Sequence, residues 1–224
     1  MICCGLWPQL PELSIFEKEL IFLFFSILDM LRRLALVGDS YCRDLYNALH
    51  GDPYFLRDNR LTVHVFGGGG ARLRYLDQTT FREQWADTIV SWRPDFVLIW
   101  LGGNDLNQGA QYDETHWQNC YQLHVDLVNE LRSRLGPNGM RLIIMPLIPR
   151  TSLRFGMSSF DFFRSVRAFN LRFRRRRGRR LSEECFEMNG YAAFRQDGSA
   201  LRDGVHLQWD ILRRICQQIR DNYL

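Results

Sequence analysis

The sequence predicts a three-layer α/β/α domain on a parallel sheet of about five strands. From Arg33 onward, short apolar runs alternate with amphipathic stretches, which is the pattern of βαβ units. Each of the first three apolar runs also ends in a glycine-bearing motif. Composition agrees: 46% apolar and 24% charged residues over 224 positions can build one full core without disulfides or metals.

Leu34-Ala-Leu-Val37 is the first buried strand. A helix from Tyr41 to Leu49 follows, with Tyr41, Leu45 and Leu49 recurring on one face. Leu61 to Phe66 is the second strand, ended by four glycines, and Phe81 to Trp92 is a helix stopped at Pro94. Asp95 to Leu101 is the third strand, closed by Gly102-Gly103. Trp117 to Leu135 forms a long amphipathic helix with Gly136-Pro137 as its stop. Leu142 to Met145 is the fourth strand, Phe160 to Arg177 a helix, and a short fifth strand is expected near Cys185–Met188. Trp209 to Asn222 closes the chain as a helix with Ile211, Ile215 and Ile219 on its buried face. With no repeat and no linker composition, residues 31–224 read as one domain and residues 1–30 as an N-terminal extension.

That extension contains Leu20 to Leu28, a strongly apolar run nine residues long, where a membrane-spanning helix needs about twenty. Glu17 and Glu19 flank Lys18 where a secretory signal wants positive charge. The expectation is therefore a loose or packed extension, or synthesis that starts at Met30, and no transmembrane span. Six cysteines lie scattered, without a C-x-x-C pair or a Cys/His group at zinc spacing. Free thiols in a reducing, intracellular setting follow, and no metal or cofactor is expected.

Chemistry concentrates at the strand ends. Gly38-Asp39-Ser40 follows the first strand, Gly67-Gly-Gly-Gly70 the second and Gly102-Gly-Asn-Asp105 the third, while Asp203-Gly-Val-His206 precedes the last helix. In open α/β sheets, functional loops lie at the carboxyl ends of the strands, so one rim collects these motifs. A serine hydroxyl needs a base, an imidazole can supply it, and a carboxylate can hold that imidazole in the right tautomer. Ser40, His206 and Asp203 are the candidates for those roles. The backbone N–H groups of Ser40 and Gly70, with the Asn104 side-chain amide, are candidates for an oxyanion hole. Taken singly, each motif has an ordinary reading as a turn, a flexible loop or a packed histidine; order and position together favour chemistry. The glycine tract fits neither a dinucleotide-binding fingerprint, since Arg72 stands where the last glycine belongs, nor a phosphate loop.

On these four motifs, in this order, the sequence resembles the SGNH (GDSL-type) hydrolases over roughly residues 33–222. The resemblance implies a flavodoxin-like sheet, no metal, and hydrolysis of a small acyl or sugar ester through an acyl-enzyme. It makes Ser40 the nucleophile, Gly70 and Asn104 oxyanion donors, and Asp203 and His206 the rest of the triad. Gly70 is preferred because Ala71-Arg72 follows as an approach to a helix, with Gly69 as the alternative. Tyr41-Cys42, where small or polar residues are commoner, predicts a narrowed site, although helix geometry turns Cys42 toward the core. Asp105 is expected to brace the Asn104 loop. Arg150 is read as a substrate-binding candidate for an acid, with an ordinary surface arginine as its alternative. Phe155 to Phe163 is open between an acyl pocket and the core.

The net charge of +4 is modest, but seven arginines crowd into Arg172–Arg180. Such a run usually marks a solvated helix end, and can also contact nucleic-acid phosphates. A catalytically silent binding module, nucleic-acid-associated through that run, is therefore the alternative to the esterase, and a flavodoxin-like nucleotide binder is a third.

Overall fold

The computed structural model of the chain describes residues 32–52, 60–73, 79–108, 111–136, 140–176, 183–185 and 199–223. The N-terminal extension and the last arginines of the basic run lie outside the described residues.

Five parallel strands run β1 (Arg32–Gly38), β2 (Leu61–Gly67), β3 (Phe96–Trp100), β4 (Arg141–Ile144) and β5 (Glu183–Cys185). Their spatial order is β2-β1-β3-β4-β5, the flavodoxin-like arrangement that the resemblance implies. The helices are α1 (Ser40–His50), α2 (Thr79–Trp92), α3 (Gly103–Leu106), α4 (Glu114–Leu135), α5 (Ser159–Arg176) and α6 (Trp209–Tyr223). Among the described residues, no helix is long and apolar enough to cross a membrane.

Strand alternation splits the core into two layers. Leu34, Leu36, Leu98 and Trp100 face α1 and α6, where Leu45, Leu49, Ile211, Ile215 and Ile219 meet them. Ala35, Val37, Val97 and Ile99 face the opposite layer, with Ile89 of α2, Val128 of α4 and Phe169 of α5. Crossovers between parallel strands are right-handed. The step from β1 to β2 goes one way along the sheet while every later step goes the other, so α1 lies on the face opposite α2, α4 and α5. The reversal falls between β1 and β3, and it opens a crevice at their carboxyl ends.

Several elements differ from expectation, α4 among them, which begins three residues before Trp117. The Gly-Gly-Asn-Asp segment, whose ordinary reading is a turn, winds one helical turn as α3, where Leu106 N–H donates to Gly102 O at 3.0 Å. The fifth strand begins two residues before Cys185, paired with Leu142 to Ile144 of β4.

Candidate active site

Ser40 is the first residue of α1, and Asp39 is its N-cap, accepting from Tyr41 N–H at 3.0 Å. The cap makes the sharp strand-to-helix turn that leaves Ser40 at the rim with its N–H at a helix N-terminus, where partial positive charge gathers. Cys42, two residues on, is buried in the core as expected, and burial pushes its thiol well above the usual range.

The loop entering α6 supplies the imidazole. Asp203 Oδ1 accepts from Val205 N–H at 2.9 Å and His206 N–H at 2.6 Å, while its Oδ2 pairs with His206 Nδ1 at 2.6 Å. A carboxylate only accepts, so Nδ1 carries the ring proton and the lone pair of Nε2 faces outward. That Nε2 stands 3.0 Å from Ser40 Oγ. Burial pushes the Asp203 carboxyl upward, but the His206 N–H, the His206 ring and the Val205 N–H outweigh it and bring it down to about 2.

Two further contacts hold this loop. Gly204, at φ +77°, turns its carbonyl to accept from both Thr151 N–H (2.8 Å) and Ser152 N–H (3.0 Å) in the segment after β4. Tyr41 OH donates to Val205 O at 2.5 Å. Tyr41 is buried and stacked on Trp100, with ring centroids 5.0 Å apart. The expectation that Tyr41 narrows the site is thus corrected: its ring turns inward and its hydroxyl tethers the His206 loop from beneath.

On the other side of Ser40, Asn104 Nδ2 donates to Asp39 Oδ2 and to Ala71 O, both at 3.1 Å. The second bond joins Asn104 to the residue after Gly70, which has φ +82° and is exposed. Asp105 braces this corner, its carboxylate accepting from Leu73 N–H at 2.9 Å. Arg150 reaches the same rim, but the surface reading is overturned because the side chain is 4% exposed. Its Nη1 donates to Asn104 Oδ1 (2.8 Å), its Nη2 to Asp39 Oδ2 (3.3 Å) and its Nε to Tyr41 OH (3.3 Å). Burial holds the Asp39 carboxyl above its usual range, while Arg150 and the Tyr41 N–H work the other way.

Sequence reading left Asp39, Thr151 and Ser152 without roles at this site. Only Asp39 carried a signal, as an acidic residue directly before a helix. The Phe155–Phe163 stretch divides: Phe162 is fully buried, whereas Phe155 and Phe160 are exposed. Arg172 and Arg174 are exposed on the last turns of α5. Among the described residues, no group of His, Cys, Asp and Glu side chains could hold a metal ion.

No protein-family model and no curated protein matches the sequence. Solved structures do match the fold. A GDSL-like lipase from Bacteroides thetaiotaomicron superposes with a TM-score of 0.61 at 16% identity, covering 88% of this chain and 91% of that one. The acetylxylan esterase Axe2 from Geobacillus stearothermophilus gives 0.58 at 15% identity, covering 86% and 94%. A protein from Slackia heliotrinireducens, provisionally assigned to the SGNH hydrolases, gives 0.57 at 19% identity, covering 85% and 97%. At these identities the likeness is one of fold.

Proposed function

We propose, from the SGNH-hydrolase fold of this chain, that residues 31–224 form a serine esterase cleaving a small carboxylic ester, acyl or sugar, through an acyl-enzyme. The observation that carries the reading is the unbroken series Asp203 Oδ2, His206 Nδ1, His206 Nε2, Ser40 Oγ, linked at 2.6 and 3.0 Å.

In the proposed reaction His206 Nε2 takes the proton of Ser40 Oγ as that oxygen bonds to the ester carbonyl carbon. Asp203 holds Nδ1–H and stabilises the imidazolium. The carbonyl oxygen becomes an oxyanion facing the N–H groups of Ser40 and Gly70 and the Asn104 amide. His206 then returns the proton to the leaving alkoxide as the carbon–oxygen bond breaks. Water, deprotonated by the same imidazole, attacks the acyl-enzyme and releases the acid, restoring Ser40 Oγ–H. Both Asn104 amide hydrogens are already committed, to Asp39 and to Ala71 O. The neutral Ala71 carbonyl is the weaker acceptor, so the hydrogen facing it is the one an oxyanion would claim.

Hydrolysis of short p-nitrophenyl esters tests this reading. Wild type is expected to be active and to be labelled at Ser40 by a fluorophosphonate. Ser40→Ala and His206→Ala should lose nearly all turnover, and Asn104→Ala should fall by about 10²-fold or more. An inactive, unlabelled wild type would overturn the proposal and turn attention to exposed Arg172 and Arg174 as a phosphate-binding surface.

A further inference from the structure

We propose that Arg150 is a positioning residue that fixes which way round the Asn104 amide sits, so that its N–H donors stay at the oxyanion corner. The inference rests on the esterase reading and deepens it. A side-chain amide has a donor end and an acceptor end of nearly the same shape, and only its neighbours choose between two orientations. Here the neighbours are of opposite kind. Arg150 Nη1, which can only donate, meets Asn104 Oδ1 at 2.8 Å. Asp39 Oδ2, which as a carboxylate only accepts, meets Asn104 Nδ2 at 3.1 Å. Reversing the amide would set donor against donor and acceptor against acceptor, while losing two charge-assisted hydrogen bonds.

The guanidinium is itself locked. Its Nη2 is 3.3 Å from Asp39 Oδ2, its Nε is 3.3 Å from Tyr41 OH, and its carbon lies 5.1 Å from the centre of the Tyr41 ring. Room for it comes from Gly103, where a Cβ would come within 2.8 Å of Nη2. A side chain before Asn104 would thus push the guanidinium out of place. Tyr41 OH, bonded to Arg150, donates in turn to Val205 O beside His206. One cation from the segment after β4 therefore braces the oxyanion side, while on the base side Tyr41 keeps its own bond to Val205 O. A lysine carries the same charge but has no planar fork to meet Asp39, Asn104 and Tyr41 together.

A double-mutant cycle on p-nitrophenyl acetate tests the assignment, using Arg150→Lys, Asn104→Ala and the pair. Arg150→Lys is expected to lower kcat about tenfold with KM nearly unchanged, because the loss is confined to the transition state. In the Asn104→Ala background the same change should alter kcat by less than about twofold, because nothing is left to orient. Losses that multiply in the double variant, or a rise in KM alone, would overturn the inference. If Arg150→Lys melts at assay temperature, Asp39→Asn/Arg150→Gln, which removes both buried charges, replaces it in the same cycle and is read the same way. Failure of the parent reading looks different, since wild type would then neither hydrolyse the ester nor react with the fluorophosphonate.

Discussion

At the scale of single residues, Asp203 is set apart from an ordinary exposed carboxylate by what it accepts. Its side chain is 49% exposed, yet two backbone N–H groups and an imidazole lower its pKa from 3.8 to about 2. The folded chain therefore favours the carboxylate more than the unfolded chain does. That stabilisation is fully present above the ordinary value and is lost as pH falls from about 4 toward 2. We expect the melting-temperature difference between wild type and Asp203→Asn to shrink as pH falls below about 4. A gap that widened as pH fell from about 4 toward 2 would contradict the hydrogen-bonding account. For the same reason, loss of activity on mild acidification should not follow the titration of Asp203. Cys42 is sealed in the core with its thiol pushed up, so thiol-alkylating reagents should leave it untouched in the folded chain.

At the scale of elements, the start of α1 has two requirements placed on one side chain. Asp39 caps the helix through Oδ1 and faces Arg150 and Asn104 through Oδ2. Asn can keep the cap but leaves Arg150 buried without a counter-charge, and breaking a buried pair in this way costs about 3–5 kcal/mol. Asp39→Ala should lose about 1 kcal/mol more, the worth of the cap. Urea unfolding of the two variants at neutral pH would separate these parts, and a cost below about 1 kcal/mol for Asp39→Asn would mean the pair is not ionic in the folded chain. Half of this arrangement was legible in the sequence. An acidic residue before a helix declares itself as a cap, whereas a lone arginine after a strand carries no period that says it turns inward. Tyr41 is a similar case: its i, i+4 partners Leu45 and Leu49 mark it as core, and burial bears that out, but nothing in that pattern announces a hydroxyl reaching Val205. The helix α3 escaped because four residues are too few to show a helical repeat.

For the whole molecule, alternation of apolar runs and glycine-ended strands was enough to read the layers and the rim. The order of strands in the sheet is not a property of any one segment. It arises from pairings such as Leu34 with Phe96 and Leu34 with Val63, and the resemblance to a known fold carried it. What that order creates is a site whose parts are far apart along the chain, Ser40 and His206 being separated by 166 in sequence. Contacts of such long span form late in folding, because loop closure must precede the gain. On dilution from urea, helical circular dichroism is therefore expected to return before fluorophosphonate labelling of Ser40; simultaneous recovery would mean that the rim assembles early. The carbonyl of Gly204, grasped by two successive amides after β4, extends this dependence to maturity. The imidazole loop is moored to the loop beside it, so exchanging residues 151–158 would also move His206, and grafts there should carry the Asp203–His206 segment with them as a matched part.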